Sequence, residues 1–143
     1  MIATAGRALR RVVLRFERLL PFERRWAETI FDALLAIEGE HGLPGFPTVD
    51  ATAFWRALGE APSPSFRLGL RAFVWALTFL PLFDARARRP FFALPRATRL
   101  ALVAEGIHGR SYLTRQMFAA LKMLACFAYF DDSNVRAAVT GVA

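Results

Sequence analysis

Two glutamate–histidine pairs have residue types and a spacing that suit metal binding: Glu38–His41 and Glu105–His108. Residues three apart on a helix share a face, so each pair can present a carboxylate and an imidazole to one ion. Two such pairs on facing helices, with a glutamate from each of two further helices, form the di-iron site of ferritin-like bundles. The sequence therefore contains part of a ligand set for iron chemistry.

The surroundings of both pairs favour a structural role. Gly39 and Gly106 interrupt the pairs, and Gly42 and Gly109 follow them, so both pairs fall at helix ends and not in helix interiors. A histidine in a last helical turn also interacts favourably with the helix dipole. Of the other acidic residues, only Glu28 and Asp32 offer a further inward placement. We interpret the pairs as helix ends and keep a stand-alone ferritin-like metal enzyme as the alternative.

Other catalytic signatures are missing from the sequence. It contains no glycine-rich phosphate loop and no GxGxxG motif, which is typical of a chain that does not hold FAD itself. Its single cysteine, Cys126, excludes an internal disulfide and a cysteine-based zinc cage. Asp131 and Asp132 are better explained as a helix stop and cap than as an acid–base pair. We predict a chain that is not itself catalytic and that binds no cofactor or metal.

Composition indicates a surface that is more apolar than a small domain requires. The chain has 143 residues, enough for one domain with a substantial core. Hydrophobic residues make up 55% of it, including 14 phenylalanines. Because a small globule cannot bury that many large rings, we expect some of them to face a partner or a membrane.

The net charge of +7 comes almost entirely from arginine, with Lys122 as the one lysine. Arginine suits planar contacts with carboxylates and phosphates, although a GC-rich genome produces the same bias. The basic clusters are interleaved with apolar helical positions, and no recognition helix or base-stacking motif accompanies them. We therefore predict no nucleic-acid partner.

Apolar spacing of three and four runs through most of the chain, and alternating β-like segments are absent. The sequence predicts one all-α domain over residues 1–143, a bundle of about six helices. Residues 4–20 form a basic amphipathic helix that can bind an anionic membrane surface, a partner or its own core. Residues 66–83 are apolar almost all round, so we expect them to form the central buried helix.

Residues 95–141 have the clearest helical organisation. One helix begins near Pro95 and loosens at Gly106 and Gly109, and a second runs from about residue 110 to Phe130. Asp131–Asn134 stops the second helix and caps a short final one over 135–139, which Gly141 closes.

This region resembles the small helical companion of glucose–methanol–choline (GMC) flavoenzymes, including the third subunit of gluconate dehydrogenases and the helical leader of long-chain fatty-alcohol oxidases. The resemblance lies in the order Arg99, Arg110, Arg115-x-x-Phe118-x-x-Leu121-Lys122-x-Leu124, Ala128-Tyr129-Phe130-Asp131-Asp132-x-x-Val135 and Gly141. It implies a non-catalytic accessory subunit that stabilises or anchors a large GMC-type oxidoreductase, which carries the FAD. The partner-binding candidates that follow are Arg99, Arg110, Arg115, Lys122 and Tyr129. Bracing of the last helix pair is an equally good interpretation of the three arginines.

The sequence also bears on localisation. Arginines scattered through the first 20 residues leave no continuous apolar core for a secretory signal, and Arg10-Arg11 lacks the apolar stretch of a twin-arginine signal. The most apolar run, Ala72–Phe83, is 12 residues and contains Pro81, whereas a membrane span needs about 20. We expect a cytoplasmic protein, with association to the inner membrane through a partner or through residues 4–20. A peripheral membrane-binding protein is the third functional alternative.

Overall fold

The computed structural model describes residues 18–37, 42–60 and 63–141. Within these ranges the chain folds into helices with no strand, which confirms the predicted all-α bundle of about six helices. The α-helices are α1 (Pro21–Leu35), α2 (Thr52–Glu60), α3 (Pro64–Phe79), α4 (Arg96–His108), α5 (Tyr112–Asp131) and α6 (Ser133–Thr140). Short 3-10 turns follow or precede them at Phe46–Thr48, Leu80–Phe83 and Phe91–Ala93. Of the predicted helix over 4–20, only residues 18–20 are described, and they are not helical.

Helix α1 occupies the centre of the bundle and packs against α3, α4 and α5. Its inward residues Ala27, Phe31 and Ala33 are buried. Pro21 stands at its start, where a missing N–H costs no hydrogen bond. The helix ends at Leu35, and its C-cap residue, Ala36, has a left-handed φ of 51°.

The expectation that residues 66–83 form the central helix is wrong. Helix α3 buries one stripe, which includes Leu70, Val74 and Leu77, while Leu68 stays 58% exposed on the opposite side. Its neighbours are mainly α1 and the adjoining 3-10 turns, so the bundle covers only one side of it. Six short helices cannot enclose every apolar face in a chain of this size.

The predicted helix pair over residues 95–130 is confirmed as α4 and α5. The Ser111 hydroxyl caps α5 by accepting the Thr114 N–H at 3.3 Å. At the crossing, Gly106 of α4 lies against Phe118 of α5, and a Cβ built on Gly106 would stand 2.6 Å from the Phe118 Cζ. Phe118 is buried and lines a cavity of about 240 Å³ together with Gly106, so a side chain at position 106 would force the ring to shift toward that cavity.

Asp132 confirms the predicted helix stop and cap. Its Oδ1 accepts the backbone N–H groups of Asn134 at 2.7 Å and Val135 at 3.1 Å, which starts α6. Its Oδ2 accepts the N–H of Asp50 at 2.9 Å, across 82 positions of sequence. The cap therefore also ties the α5–α6 junction to the segment that leads into α2. These bonds, that from Asp50 first, lower the pKa of Asp132.

We expect Asp132→Ala to reduce the free energy of unfolding by about 2 kcal/mol, because α6 loses its cap and the Asp50 N–H loses its acceptor. Since the pKa of Asp132 is lowered in the folded state, its contribution is present above about pH 4 and lost as the pH falls through the folded-state pKa. Urea denaturation at several values between about pH 2 and about pH 7 measures both the loss of stability and its dependence on pH. Exposed Asp131→Ala is the matched control and should stay within about 0.5 kcal/mol of the parent. Equal losses in both variants would contradict the assignment.

We expect Gly106→Ala to destabilise the fold by about 1–3 kcal/mol, because the added methyl group overlaps the buried Phe118 ring. Gly69→Ala is the control: it places the same methyl group in open space on α3 and should stabilise the fold by about 0.5–1 kcal/mol. Thermal unfolding of the two variants measures the difference. A stabilised Gly106→Ala would show that α4 and α5 do not cross as closely as described.

Candidate interaction surface

A buried carboxylate organises the contact between α1 and α3. Glu23, in the first turn of α1, has no exposed surface. Its Oε1 accepts hydrogen bonds from Arg71 Nε at 2.7 Å and Trp75 Nε1 at 2.6 Å, both on α3. Its Oε2 accepts the backbone N–H of Leu20 at 2.6 Å. Leu20 has no side-chain acceptor, so only the glutamate half of a capping box forms.

The Glu23 contacts also determine how Trp75 is presented. A buried charge needs an opposite charge and full hydrogen bonding, and Arg71 and Trp75 supply both. Trp75 is 40% exposed. Because its indole N–H already donates a hydrogen bond inside the protein, the exposed part of the side chain is an apolar ring surface.

Trp75 belongs to a set of aromatic rings in mutual contact. We call this set the aromatic face: Phe22, Trp26, Trp75, Phe79 and Phe92. Trp26 stands at its centre and stacks on Phe92, with ring centroids 5.5 Å apart and planes within 6°. Phe22, Trp75 and Phe79 meet Trp26 edge to face at 5.0 to 5.5 Å. Phe22 is 43% exposed and Phe92 is 44% exposed, so the cluster is open to solvent.

Apolar exposure continues beyond the aromatic face. The 3-10 turn that follows α3 exposes Leu80, Leu82 and Phe83, the last by 88%. A separate stripe runs along α5 at Met123, Phe127 and Phe130. The expected surplus of exposed apolar side chains is therefore present, and two parts of it lie on different helices.

The candidate partner-binding residues are not brought together. Arg99 lies in the first turn of α4 and Arg110 beyond its end, about 15 Å along the helix axis. Arg110 and Lys122 are exposed. Arg99 is half-buried beside a cavity of about 360 Å³, and its Nε lacks a hydrogen-bond partner among the described residues.

Two of the candidates have structural contacts inside the chain. Arg115 donates from one Nη to the carbonyls of Gly109 at 2.8 Å and Arg110 at 3.0 Å, so it closes the end of α4 and braces the helix pair. Tyr129 is 2% exposed, and its hydroxyl donates to the Pro44 carbonyl at 2.7 Å. The structure thus places Tyr129 in the core and not on a partner-facing surface, because the loop at Pro44 covers its hydroxyl.

The candidate metal residues are only partly described. Glu38 and His41 lie outside the described residues. Glu105 and His108 are exposed near the end of α4, and Glu105 lies 3.6 Å from an Arg86 guanidinium nitrogen. In the described part of the chain, no three histidine, cysteine, aspartate or glutamate side chains gather as a metal site would require.

Glu28 and Asp32, the other acidic residues considered for a metal site, have partners within the chain. Glu28 accepts the Trp55 indole N–H at 2.8 Å, and Asp32 lies 3.7 Å from Arg96 Nε. Both carboxylates therefore connect α1 to neighbouring elements.

One helical stretch in the described ranges, Pro64–Phe83, has 20 residues and a mean hydropathy of 1.4, so its length and composition would suit a membrane. The sequence predicts no span here, because its most apolar run, Ala72–Phe83, is 12 residues long and contains Pro81. In the structure, the helical stretch continues through Pro81 as a 3-10 turn. Only 28% of this stretch is buried in the protein, and its buried side contacts α1. Length and composition alone are weak evidence for a membrane segment.

Sequence reasoning missed the Glu23 cluster. Pro21 and Glu23 are residue types typical of the first turn of a helix, so the sequence indicates a capping role for Glu23. Nothing in the local sequence indicates that Arg71 and Trp75, 48 and 52 positions away, meet the same carboxylate oxygen.

Compared with known proteins, the chain gives no significant match to a family model, a curated protein or a solved structure.

We expect Arg71→Met to lower the free energy of unfolding by about 3–5 kcal/mol, because it leaves the buried Glu23 carboxylate without its cation. Arg86→Met is the control, since Arg86 is 79% exposed and its ion pair with Asp84 is 3.6 Å long. That variant should lose no more than about 1 kcal/mol. Urea denaturation followed by tryptophan fluorescence compares them, and similar small losses would contradict a central role for the buried pair.

Proposed function

We propose that this protein is a non-catalytic accessory subunit that binds a large GMC-type, FAD-dependent oxidoreductase through the aromatic face and stabilises or anchors it. The observation that carries the proposal is the open cluster of rings around Trp26, three of which are partly exposed. A protein without a partner would gain by burying these rings, so their exposure points to a contact surface.

The chemistry of the aromatic face suits a protein interface. Aromatic side chains are enriched at interface cores and supply much of the binding energy there. Trp75 is held by its bond to Glu23, and Trp26 is held by rings on several sides. Since these rings are already ordered, binding would cost little additional side-chain entropy.

The identity of the partner rests on the resemblance of residues 95–141. By that resemblance, the partner carries the FAD and the alcohol, sugar or sterol-type substrate, and the accessory chain takes no part in the redox chemistry. Exposed Arg110 and Lys122 are suited to contacts with partner carboxylates, which set specificity more than affinity. Arg115 would act indirectly, through the α4–α5 junction that it braces.

A peripheral membrane protein is the second candidate. It is favoured by the apolar stretch Pro64–Phe83, which carries Trp75 of the aromatic face. Tryptophan and other aromatic rings commonly sit at the membrane–water interface. In this alternative, the predicted basic helix over residues 4–20 would add electrostatic attraction to anionic lipids.

We expect Phe92→Ala to weaken capture of the flavoprotein at least tenfold, because it removes a partly exposed ring that is stacked on Trp26. The measurement is affinity capture of the tagged full-length chain from its native host, with absorbance in the flavin bands and peptide identification of the captured protein. Phe127→Ala is the matched control, since Phe127 is 60% exposed on the separate α5 stripe. Its capture of the flavoprotein should be unchanged.

A colourless preparation without a large flavoprotein would contradict the proposal. If that preparation pellets with anionic vesicles, and Phe92→Ala reduces the pelleting, the membrane candidate replaces the accessory-subunit interpretation.

A further inference from the structure

Arginine side chains line a concave surface between the first turn of α1, the end of α2 and the start of α3. A cavity of about 260 Å³ there is lined by Arg18, Arg24, Thr52, Trp55, Arg56, Gly59 and Glu60. A smaller adjoining cavity shares Arg18, Arg24, Trp55 and Gly59 with it and adds Arg67. We call the four arginines with these cavities the arginine pocket.

The charge of the arginine pocket is not balanced by its walls. Arg18, Arg24 and Arg56 line the cavities together with one carboxylate, that of Glu60, which leaves two positive charges in excess among these residues. Among the described residues, ion pairs join Arg71 to Glu23, Arg86 to Asp84 and Glu105, and Arg96 to Asp32. None of these pairs involves Arg18, Arg24 or Arg56. Like charges around one cavity repel each other, so a bound anion would stabilise the arrangement.

The pocket also has polar groups that are already positioned. Arg67 donates to the Gly59 carbonyl at 2.8 Å, which fixes its guanidinium at the end of α2. Arg18 Nε lies 4.0 Å from the point where a Cβ on Gly59 would stand, so it reaches the same helix end. The Arg24 Nε is buried and has no hydrogen-bond partner among the described residues. A buried donor of this kind needs an acceptor, and the pocket walls do not supply one.

We propose that the arginine pocket binds a phosphate dianion, as inorganic phosphate or as a phosphomonoester. Arginine forks match the oxygens of phosphate, and a dianion offsets more of the excess positive charge than a carboxylate would. The cavity of about 260 Å³ leaves room for an organic group beside the phosphate. This site lies apart from the aromatic face and does not depend on the proposed function. A soluble phosphate ester and a lipid phosphate headgroup share the chemistry it recognises.

The test is a titration of the full-length protein with sodium phosphate, against sodium chloride at equal ionic strength. Trp55 lines the pocket, so its fluorescence and calorimetry can both follow binding. We expect saturable binding at one site. Arg24→Gln and Arg56→Gln should each weaken it about tenfold or more, since each removes a charge-assisted hydrogen-bond donor. Arg89→Gln makes the same charge change at an exposed position on the α3–α4 connection and should leave binding unchanged.

Glycerol phosphate adds a pH readout. Its affinity should rise as the pH increases through about 6, because a phosphomonoester becomes a dianion there and gains a second negative charge for the arginine forks. Arg18→Gln, at an exposed residue, provides a second variant in case Arg24→Gln impairs folding.

The proposal would be overturned by a fluorescence change that follows ionic strength without saturating. It would also be overturned if Arg89→Gln lost as much phosphate affinity as Arg24→Gln and Arg56→Gln. Vesicles with and without phosphatidic acid distinguish the sources of phosphate. Binding to glycerol phosphate supports a soluble ligand, whereas binding only to phosphatidic acid vesicles supports a lipid headgroup. Binding to neither phosphate would overturn the site.

Discussion

The buried carboxylate of Glu23 is the interaction on which the arrangement of α1 and α3 depends. It lies in the first turn of α1 and accepts hydrogen bonds of 2.6 to 2.7 Å from the side chains of Arg71 and Trp75 and from the Leu20 backbone N–H. A charge without exposed surface is tolerated only while these donors stay in place. The requirement fixes α3 beside the start of α1, and with it the side of α3 that remains open to solvent.

Three consecutive residues at this point face three different environments. Phe22 belongs to the aromatic face, Glu23 is buried under it, and Arg24 lines the arginine pocket. Successive residues on a helix point about 100° apart, so one helical turn can serve an apolar surface, the core and a basic surface at once. The two proposed binding surfaces are therefore positioned by the same buried ion pair, although their chemistry is opposite.

At the other end of the chain, several residues of α5 and of its junction with α6 make internal contacts. Asp132 caps α6 and ties it to Asp50, and Tyr129 bonds to the loop at Pro44. Arg115 closes the end of α4. Asp132, Tyr129 and Arg115 therefore have structural roles inside this chain. Phe92, Arg110 and Lys122, by contrast, are exposed to solvent.

By itself, the sequence determined the helical class, the helix pair at residues 95–130 and the cap at Asp132, because these follow from local periodicity, glycine and proline positions and capping chemistry. It also determined that apolar residues exceed what a small core can bury. Only the tertiary structure decided that α1 and not α3 is central, that Tyr129 is buried, and that Glu23 meets Arg71 and Trp75. The reason is physical: apolar spacing shows that a helix has a face to cover, but neighbours distant in sequence decide whether that face is covered.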